Sequence, residues 1–343
     1  MESNAELTSR VKALAKAEGF ARVGIASAAA IDDGGRFASW IDRGSHADMD
    51  YMARNVDKRM CPELLVPGAR SVICLLVPYG SEKPAAITCG EVARYARGRD
   101  YHKVLKRRCQ RLMSCIAAES DGFKGRAFVD SAPVMERGLA AAAGLGWIGR
   151  NGCLIAGELG SYVFLCEIIC NLPLVFDEPM DAQCGDCRAC IDVCPTGALG
   201  EDGLVDCRKC LSYMSIEHRG SLSAECMEKQ GTRLFGCDSC QEACPHNTAG
   251  TDGDVELAME GGILGGADLA DILGWDQDAW DASTRGSAIR RAKFEGLRRN
   301  AAVVAGNCRR RELLEQLQIL VQRGGDSADA AGWAISRIDI GQD

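Results

Sequence analysis

The sequence predicts an α+β protein in three parts, and three observations predict it. Residues 1–176 mix short strand-like runs with amphipathic helical runs, residues 177–250 are dominated by cysteine and turn residues, and from Ser287 onward the apolar spacing is helical. At 343 residues the chain is too long for one small core and suits two or three domains. The expected boundaries are 1–176, 177–250 and 251–343.

In chain order, residues 7–19 read as an amphipathic helix closed by Gly19, and 21–26 as a short buried strand. Residues 71–77 read as a second strand, entered from Pro67-Gly68 and left through Pro78. Residues 101–118 have helical spacing, with Val104, Leu105, Leu112 and Ile116 on an inner face. A short strand over 127–129 then leads to a helix from about 134 to 143. Residues 177–250 offer so little apolar periodicity that metal binding must replace a core. Residues 248–266 form a Gly/Asp/Thr-rich linker, and helices follow at 288–306, 312–323 and 328–338. Helical hairpins of this length suggest a short α-repeat unit.

An apolar fraction of 47% with 26% charged residues is ordinary for a globular chain. The N-terminal residues carry no basic, apolar or twin-arginine signal, and no apolar run is long enough to span a bilayer. A cytoplasmic protein without membrane contact is expected. Nineteen cysteines in a reducing compartment then point to metal or redox chemistry rather than disulfides. The scattered ones (Cys61, Cys74, Cys89, Cys109, Cys115 and Cys308) are expected to pack as small buried apolar residues. Net charge is −8, yet residues 94–111 carry +7 and residues 285–311 carry +8, leaving −23 for the rest. Basic stripes on an acidic chain suggest a directed polyanion site, the plainer alternative being solvated helix faces.

Cys184-x-x-Cys187-x-x-Cys190-x-x-x-Cys194-Pro195 is a bacterial ferredoxin run. Three cysteines on a tight loop grip one [4Fe–4S] cube, and the fourth, turned away before proline, ligates another. Cys237-x-x-Cys240-x-x-x-Cys244-Pro245 supplies three more ligands with the same ending. The crossed assignment gives Cys184, Cys187, Cys190 and Cys244 to one cluster. The other takes Cys194, Cys237, Cys240 and Cys210, with Cys207 as a competitor for the last place. Two clusters only move electrons, so an external low-potential donor is expected on one side and an acceptor in the remaining chain on the other.

Gly144-Leu-Gly146-Trp-Ile-Gly149 matches a dinucleotide fingerprint in letters but follows a helix rather than a strand, so it reads as a helix end and close-packed turn. Asp130-Ser131-Ala132-Pro133 sits between a short strand and a helix, where Asp130 or Ser131 suits a cap.

Several stretches together resemble the epoxyqueuosine reductases, cobalamin-dependent tRNA-modifying enzymes. They are Gly19-Phe-Ala-Arg-Val-Gly-Ile-Ala26, Asp50-Tyr-Met-Ala-Arg54, Tyr95-Ala-Arg-Gly-Arg-Asp-Tyr-His-Lys-Val-Leu105 and Val129-Asp-Ser-Ala-Pro-Val-Met-Glu-Arg137. Gly144 to Gly149, both cysteine runs, Arg298-Arg-Asn-Ala-Ala302 and Gly306-Asn307 follow in the same order. The resemblance implies a nitroreductase-like catalytic domain, an inserted ferredoxin-like two-cluster module and a C-terminal HEAT-like helical segment, with cobalamin held between the first two. The reaction it implies reduces the epoxide of epoxyqueuosine in a tRNA anticodon loop to the alkene of queuosine.

On that resemblance Asp130 becomes the proton donor rather than a cap, with burial expected to raise its pKa. Arg54, Tyr95, Arg97, Asp100, His102, Ser131, Met135 and Asn151 are expected to line the corrin or nucleobase pocket. Asp100-x-His102 is similar to a cobalt-ligating DxHxxG pattern, but Leu105 replaces its glycine, so His102 reads as a pocket residue. Arg290, Arg291, Lys293, Arg298 and Arg299 are expected to meet tRNA phosphates, and the chain is expected to act as a monomer. A reductive dehalogenase would share cobalamin and two clusters, and a plain electron carrier the clusters alone. The missing export signal and the basic helices stand against the first, and the large N-terminal domain against the second.

Overall fold

The computed structural model describes residues 3–80, 90–247, 250–259 and 263–339. Cys89 and part of the predicted linker lie outside them. The described strands are β1 (Arg22–Ser27), β2 (Ser71–Pro78), β3 (Glu91–Val92), β4 (Gly125–Phe128), β5 (Trp147–Ile148), β6 (Leu154–Ile155), β7 (Val163–Cys170) and β8 (Arg233–Phe235). Four of them form an antiparallel sheet in the order β1-β2-β7-β4.

Helices α1 (Asn4–Ala17) and α2 (Tyr101–Glu119) cover one face, where Val11, Leu105, Leu112 and Ile116 meet Ile25, Ile73, Leu75 and Ile168. Helix α3 (Glu136–Ala142) covers the other, packing Leu139 and Ala140 on Val72, Cys74, Leu76, Phe128 and Ile169. A strand covered on both faces reads as a continuous apolar run. That is why β2, Ser-Val-Ile-Cys-Leu-Leu-Val-Pro, is buried along nearly its whole length. Each such aliphatic side chain contributes about 1.5–3 kcal/mol on burial. Gly24 lets the sheet and α3 meet, since a Cβ there would stand 2.2 Å from the Ala143 carbonyl oxygen.

A second core joins helices α4 (Leu211–Ile216) and α5 (Ala224–Gln230) and strand β8 to α6 (Leu269–Gly274), α7 (Gln277–Thr284), α8 (Lys293–Asn307), α9 (Leu314–Arg323) and α10 (Asp326–Asp339). Residues 211–235 therefore pack with the helices beyond 251 rather than with the cysteine loops. Helix α8 is buried from Gly296 to Gly306. It crosses α10 where a Cβ on Gly306 would stand 2.8 Å from Ala334 Cα. No helix among the described residues is long and apolar enough to cross a membrane.

The predicted elements appear close to where the pattern puts them. β7, the partner of both β2 and β4, was not anticipated, nor were the short strands β3, β5, β6 and β8 and the helices α4, α5, α6 and α7. Among the scattered cysteines, Cys74 and Cys109 are buried as expected, Cys61 and Cys115 are half-buried, and Cys308 is exposed. Cys308 corrects the expectation: it caps the end of α8, past its buried face.

Candidate active site and cluster-binding residues

The loop from β4 to α3 carries Asp130 in a left-handed backbone conformation, φ 44°. Such a conformation is uncommon outside glycine and marks a constrained position. It is held by its neighbours: the Asp130 backbone N–H donates to Glu136 Oε1 at 2.6 Å, and Tyr101 Oη donates to Asp130 Oδ2 at 2.5 Å. Asp130 caps nothing, because α3 begins at Glu136 after Met135, without a side-chain cap.

Asp100 instead is the cap, accepting from the His102 backbone N–H at the start of α2. Its carboxylate also holds His102 Nδ1 at 2.8 Å, which leaves His102 Nε2 3.5 Å from Asp130 Oδ2. Tyr101 is clamped between the His102 ring and Phe164, with centroids 4.0 and 4.2 Å away.

The electrostatics reverse one expectation. Burial acts to raise the Asp130 pKa, but the hydrogen bonds from His102 and Tyr101 outweigh it and hold the carboxyl below its ordinary range. The proton sits on His102: partial burial disfavours its charge, yet Asp100 and Asp130 push its pKa up to about 9. Behind Asp130, burial and then the Asp130 charge push Glu136 up to about 8. Burial pushes Glu167 well above the carboxylate range.

Asp130, 63% accessible, faces a cavity of about 1790 Å³ bounded by the sheet domain, the cysteine segment and Arg291 from the C-terminal part. Ordinary small-molecule pockets run to about 300–1,000 Å³, so this one has room for a larger occupant. Arg54, Tyr95, His102, Ser131 and Met135 line it. Arg97 and Asp100 do not: Arg97 Nε donates to the Val92 carbonyl, and Asp100 is taken up by capping α2 and holding His102. Asn151 does not either. It is buried beside Cys184, Cys187, Cys190 and Cys244, its Oδ1 accepts from the Cys153 N–H, and its Nδ2 has no partner among the described residues. Sequence reasoning missed Arg59, buried in the cavity wall with its Nη2 on the Tyr51 carbonyl and its Nε unpartnered among the described residues. It also missed Glu136 and Glu167, whose signal is a lone acid in an otherwise apolar strand and a helix start beside Asp130.

The two cysteine runs fold alike, each carrying the second cysteine of a CxxC pair, Cys190 or Cys240, in a helical turn, Ala189–Asp192 or Ser239–Glu242, and the two turns pack together. Cys184, Cys187, Cys190 and Cys244 line one pocket. Cys210 stands within electrostatic range of Cys237 and Cys194, and Cys240 within range of Cys237 and Cys210. Cys207 and Cys210 both reach the cavity wall. Among the described residues no three such side chains close on a single metal ion. Cys184, Cys187, Cys190 and Cys244 instead stand around an open space. Gly144 to Gly149 behaves as the expected turn: Gly144 has φ 67°, and a Cβ on Gly146 would stand 2.1 Å from the Ile155 carbonyl oxygen.

The basic stripes are less available than expected. Arg298 is buried over the Phe294 ring and pairs with Glu295. Arg299 is 1% exposed and donates to the carbonyls of Met214, His218 and Gly220. Both are corrected to structural residues, fixed by the packing of α8 on α4. Arg290 pairs with Asp281 across Trp280, and Arg291 pairs with Glu217 over the Tyr51 ring. Lys293 is exposed, as are Lys103, Lys106 and Arg107 on α2. Arg94 and Arg108 belong to buried ion pairs with Asp238 and Asp254.

An antiparallel sheet with a large reactive cavity against a double-cluster cysteine module defines an iron–sulfur oxidoreductase. Residues 59–131 match the family model described as Epoxyqueuosine reductase QueG, DUF1730, and residues 183–247 match the 4Fe-4S double cluster binding domain. The epoxyqueuosine reductase of Xanthomonas campestris is 40% identical over 97% of this chain and 96% of its own length. That of Escherichia coli is 36% identical over 97% and 89%. A solved epoxyqueuosine reductase holding a modified tRNA-Tyr stem loop superposes with TM-score 0.90 at 26% identity, covering 98% of this chain and 91% of that one. The Streptococcus thermophilus structure gives 0.88 at 28%, with the same coverage. The chain belongs to the epoxyqueuosine reductase family.

Proposed function

We propose that this enzyme reduces epoxyqueuosine to queuosine at the wobble position of a tRNA, with cobalamin in the large cavity and Asp130 delivering the proton that the departing oxygen needs. The observation that carries this reading is the Asp100–His102–Asp130–Tyr101 cluster, aimed into a cavity whose far wall contains Cys207 and Cys210. The cavity volume and its mixed lining fit a corrin with a nucleobase beside it. Arg54, Tyr95, Ser131 and Met135 would hold them, and the bound cobalamin would supply a strongly reducing metal centre. The sheet and its helices are read as nitroreductase-like, and the C-terminal helices as HEAT-like. Solved epoxyqueuosine reductases include one with a bound tRNA stem loop and one, from Bacillus subtilis, with a catalytic aspartate loop swung out of its active site, and both support this reading.

Epoxide removal takes two electrons and two protons and releases water. The side chains here handle the protons. Asp100 fixes the His102 tautomer, and the His102–Asp130 pair holds one proton near neutral pH. Tyr101 keeps Asp130 Oδ2 oriented. A proton moving from His102 Nε2 to Asp130 lets the carboxylic acid protonate the leaving alkoxide, whose ring strain already favours opening. Cys184, Cys187, Cys190 and Cys244 would hold one cluster and Cys194, Cys210, Cys237 and Cys240 the other, and together they would supply single electrons drawn from an external low-potential donor. Lys293 would meet phosphates of the stem, and Arg290 and Arg291 would do so by exchanging their Asp281 and Glu217 partners. A monomer in the cytoplasm completes the reading.

The test is anaerobic reconstitution with iron, sulfide and cobalamin, then incubation with reductant and epoxyqueuosine-containing tRNA, following loss of one oxygen by mass spectrometry. Wild type is expected to convert the nucleoside. Asp130→Asn is expected to lose about 10²–10⁴ in rate, the usual worth of a general acid, with both clusters intact. Unmodified tRNA in the wild-type reaction would remove the substrate assignment, and wild-type rates in the variant would remove Asp130 from its role.

A further inference from the structure

Each turnover draws protons through Asp130, and a cavity filled by corrin and nucleobase admits little bulk water. Behind Asp130 stand two more carboxyls. Glu136 opens α3 and its Oε1 accepts the Asp130 N–H. Glu167 lies mid-strand in β7, opposite Cys74 and Phe128, and is 0% exposed. Side chains alternate along a strand. Cys166 and Ile168 belong to the α1–α2 face, so Glu167 points to the α3 face with Ile169 and meets Glu136 there. Apart from the Glu136 carboxyl, neither Glu167 oxygen has a hydrogen-bond partner among the described residues. A lone ionised carboxylate in such a setting is strongly disfavoured, so the group keeps a proton.

We propose that Glu136 and Glu167 form an internal proton store that recharges Asp130 between reduction events. The inference rests on the donor role of Asp130 proposed above. In the first step the Asp130 O–H bond breaks as the O–H bond of the leaving group forms. The Glu136 O–H bond then breaks as that of Asp130 re-forms, and Glu167 returns a proton to Glu136. Solvent restores the last proton when the RNA leaves, and no electron moves in these transfers.

The groups facing the store are Asp130 from the β4–α3 loop, Tyr101 and His102 from α2, Cys74 from β2, and Arg59 from the turn Val56–Met60, while Cys109 and Cys166 lie across the sheet on the α1–α2 face. Arg59 keeps its Nη2 on the Tyr51 carbonyl and makes no hydrogen bond to either glutamate. The raised pKa values of Glu136 and Glu167 agree with this placement.

The experiment is infrared spectroscopy of the intact reconstituted protein in H₂O and D₂O at neutral pH, with kinetics on an epoxyqueuosine stem-loop RNA. Wild type is expected to show the carbonyl stretch of protonated carboxylic acids, shifted in D₂O, with the Glu167 component lost in Glu167→Gln. That variant is isosteric with the protonated acid, and cluster absorbance checks that it folds. Its ratio of first-turnover rate to steady-state rate is expected to rise at least about tenfold, and Glu167→Asp to restore part of the difference. A wild-type protein without the band, or an unchanged ratio in Glu167→Gln while Asp130→Asn is inactive, overturns the proton store alone. Full activity in Asp130→Asn overturns the reading beneath it as well.

Discussion

Asp130 shows how one residue's chemistry is set by three others. An aspartate at this position with only burial around it would titrate high; the imidazole and the phenol bring it down and leave the proton on His102. A pH dependence follows. The folded His102 pKa, about 9, lies above its ordinary 6.5. The ion pair's contribution to stability is therefore complete below about 6.5 and is lost as pH rises through about 9. Reduction is expected to fall over the same upper limb, because the pair no longer holds a proton. A pH–rate profile of single-turnover reduction checks this, and His102→Gln is expected to lose that limb. The identity of Asp130 was legible from Asp-Ser-Ala-Pro-Val-Met-Glu-Arg. Its protonation was not, because that depends on Tyr101 and His102, residues brought to it by a helix from elsewhere in the chain.

At the scale of elements, the strands and helices with a clear period were legible, since burial on one or two faces writes itself into the apolar spacing. β7 escaped because it carries Cys166 and Glu167 inside an apolar run, and α6 and α7 because they are only 6 and 8 residues long. The cysteine runs needed no period at all, because cluster geometry fixes their spacing. The choice between Cys207 and Cys210 was settled by neither spacing nor motif. Cys210 stands within electrostatic range of Cys237 and Cys194, so Cys210→Ser is expected to lose roughly half the bound iron while Cys207→Ser keeps it. Iron analysis and paramagnetic resonance of the two variants check this. The crossing of α8 and α10 gives a stability prediction. Gly306→Val places a side chain where Ala334 and Trp333 already stand, and is expected to cost about 1–3 kcal/mol in thermal unfolding.

Across the whole molecule, the excess of arginine and lysine in residues 285–311 serves two purposes that the sequence alone could not separate. Arg298 and Arg299 tie α8 to the protein interior, whereas Lys293 remains at the surface. Lys293→Ala is expected to lower the salt slope of stem-loop binding by about 0.7–0.9, the value of one phosphate contact. Arg299→Ala is expected to unfold the chain at lower temperature because three carbonyls lose their donor. Titration of a labelled stem loop at several salt concentrations checks the first, and a melting curve the second.

Cys187 is exposed on the outer face while Cys210 sits in the wall of the cavity. On the proposed electron path the two clusters would therefore age unequally. Dioxygen would reach the outer one directly and the inner one only through the cavity, so air is expected to sever the current at its inlet before it harms the chemistry itself.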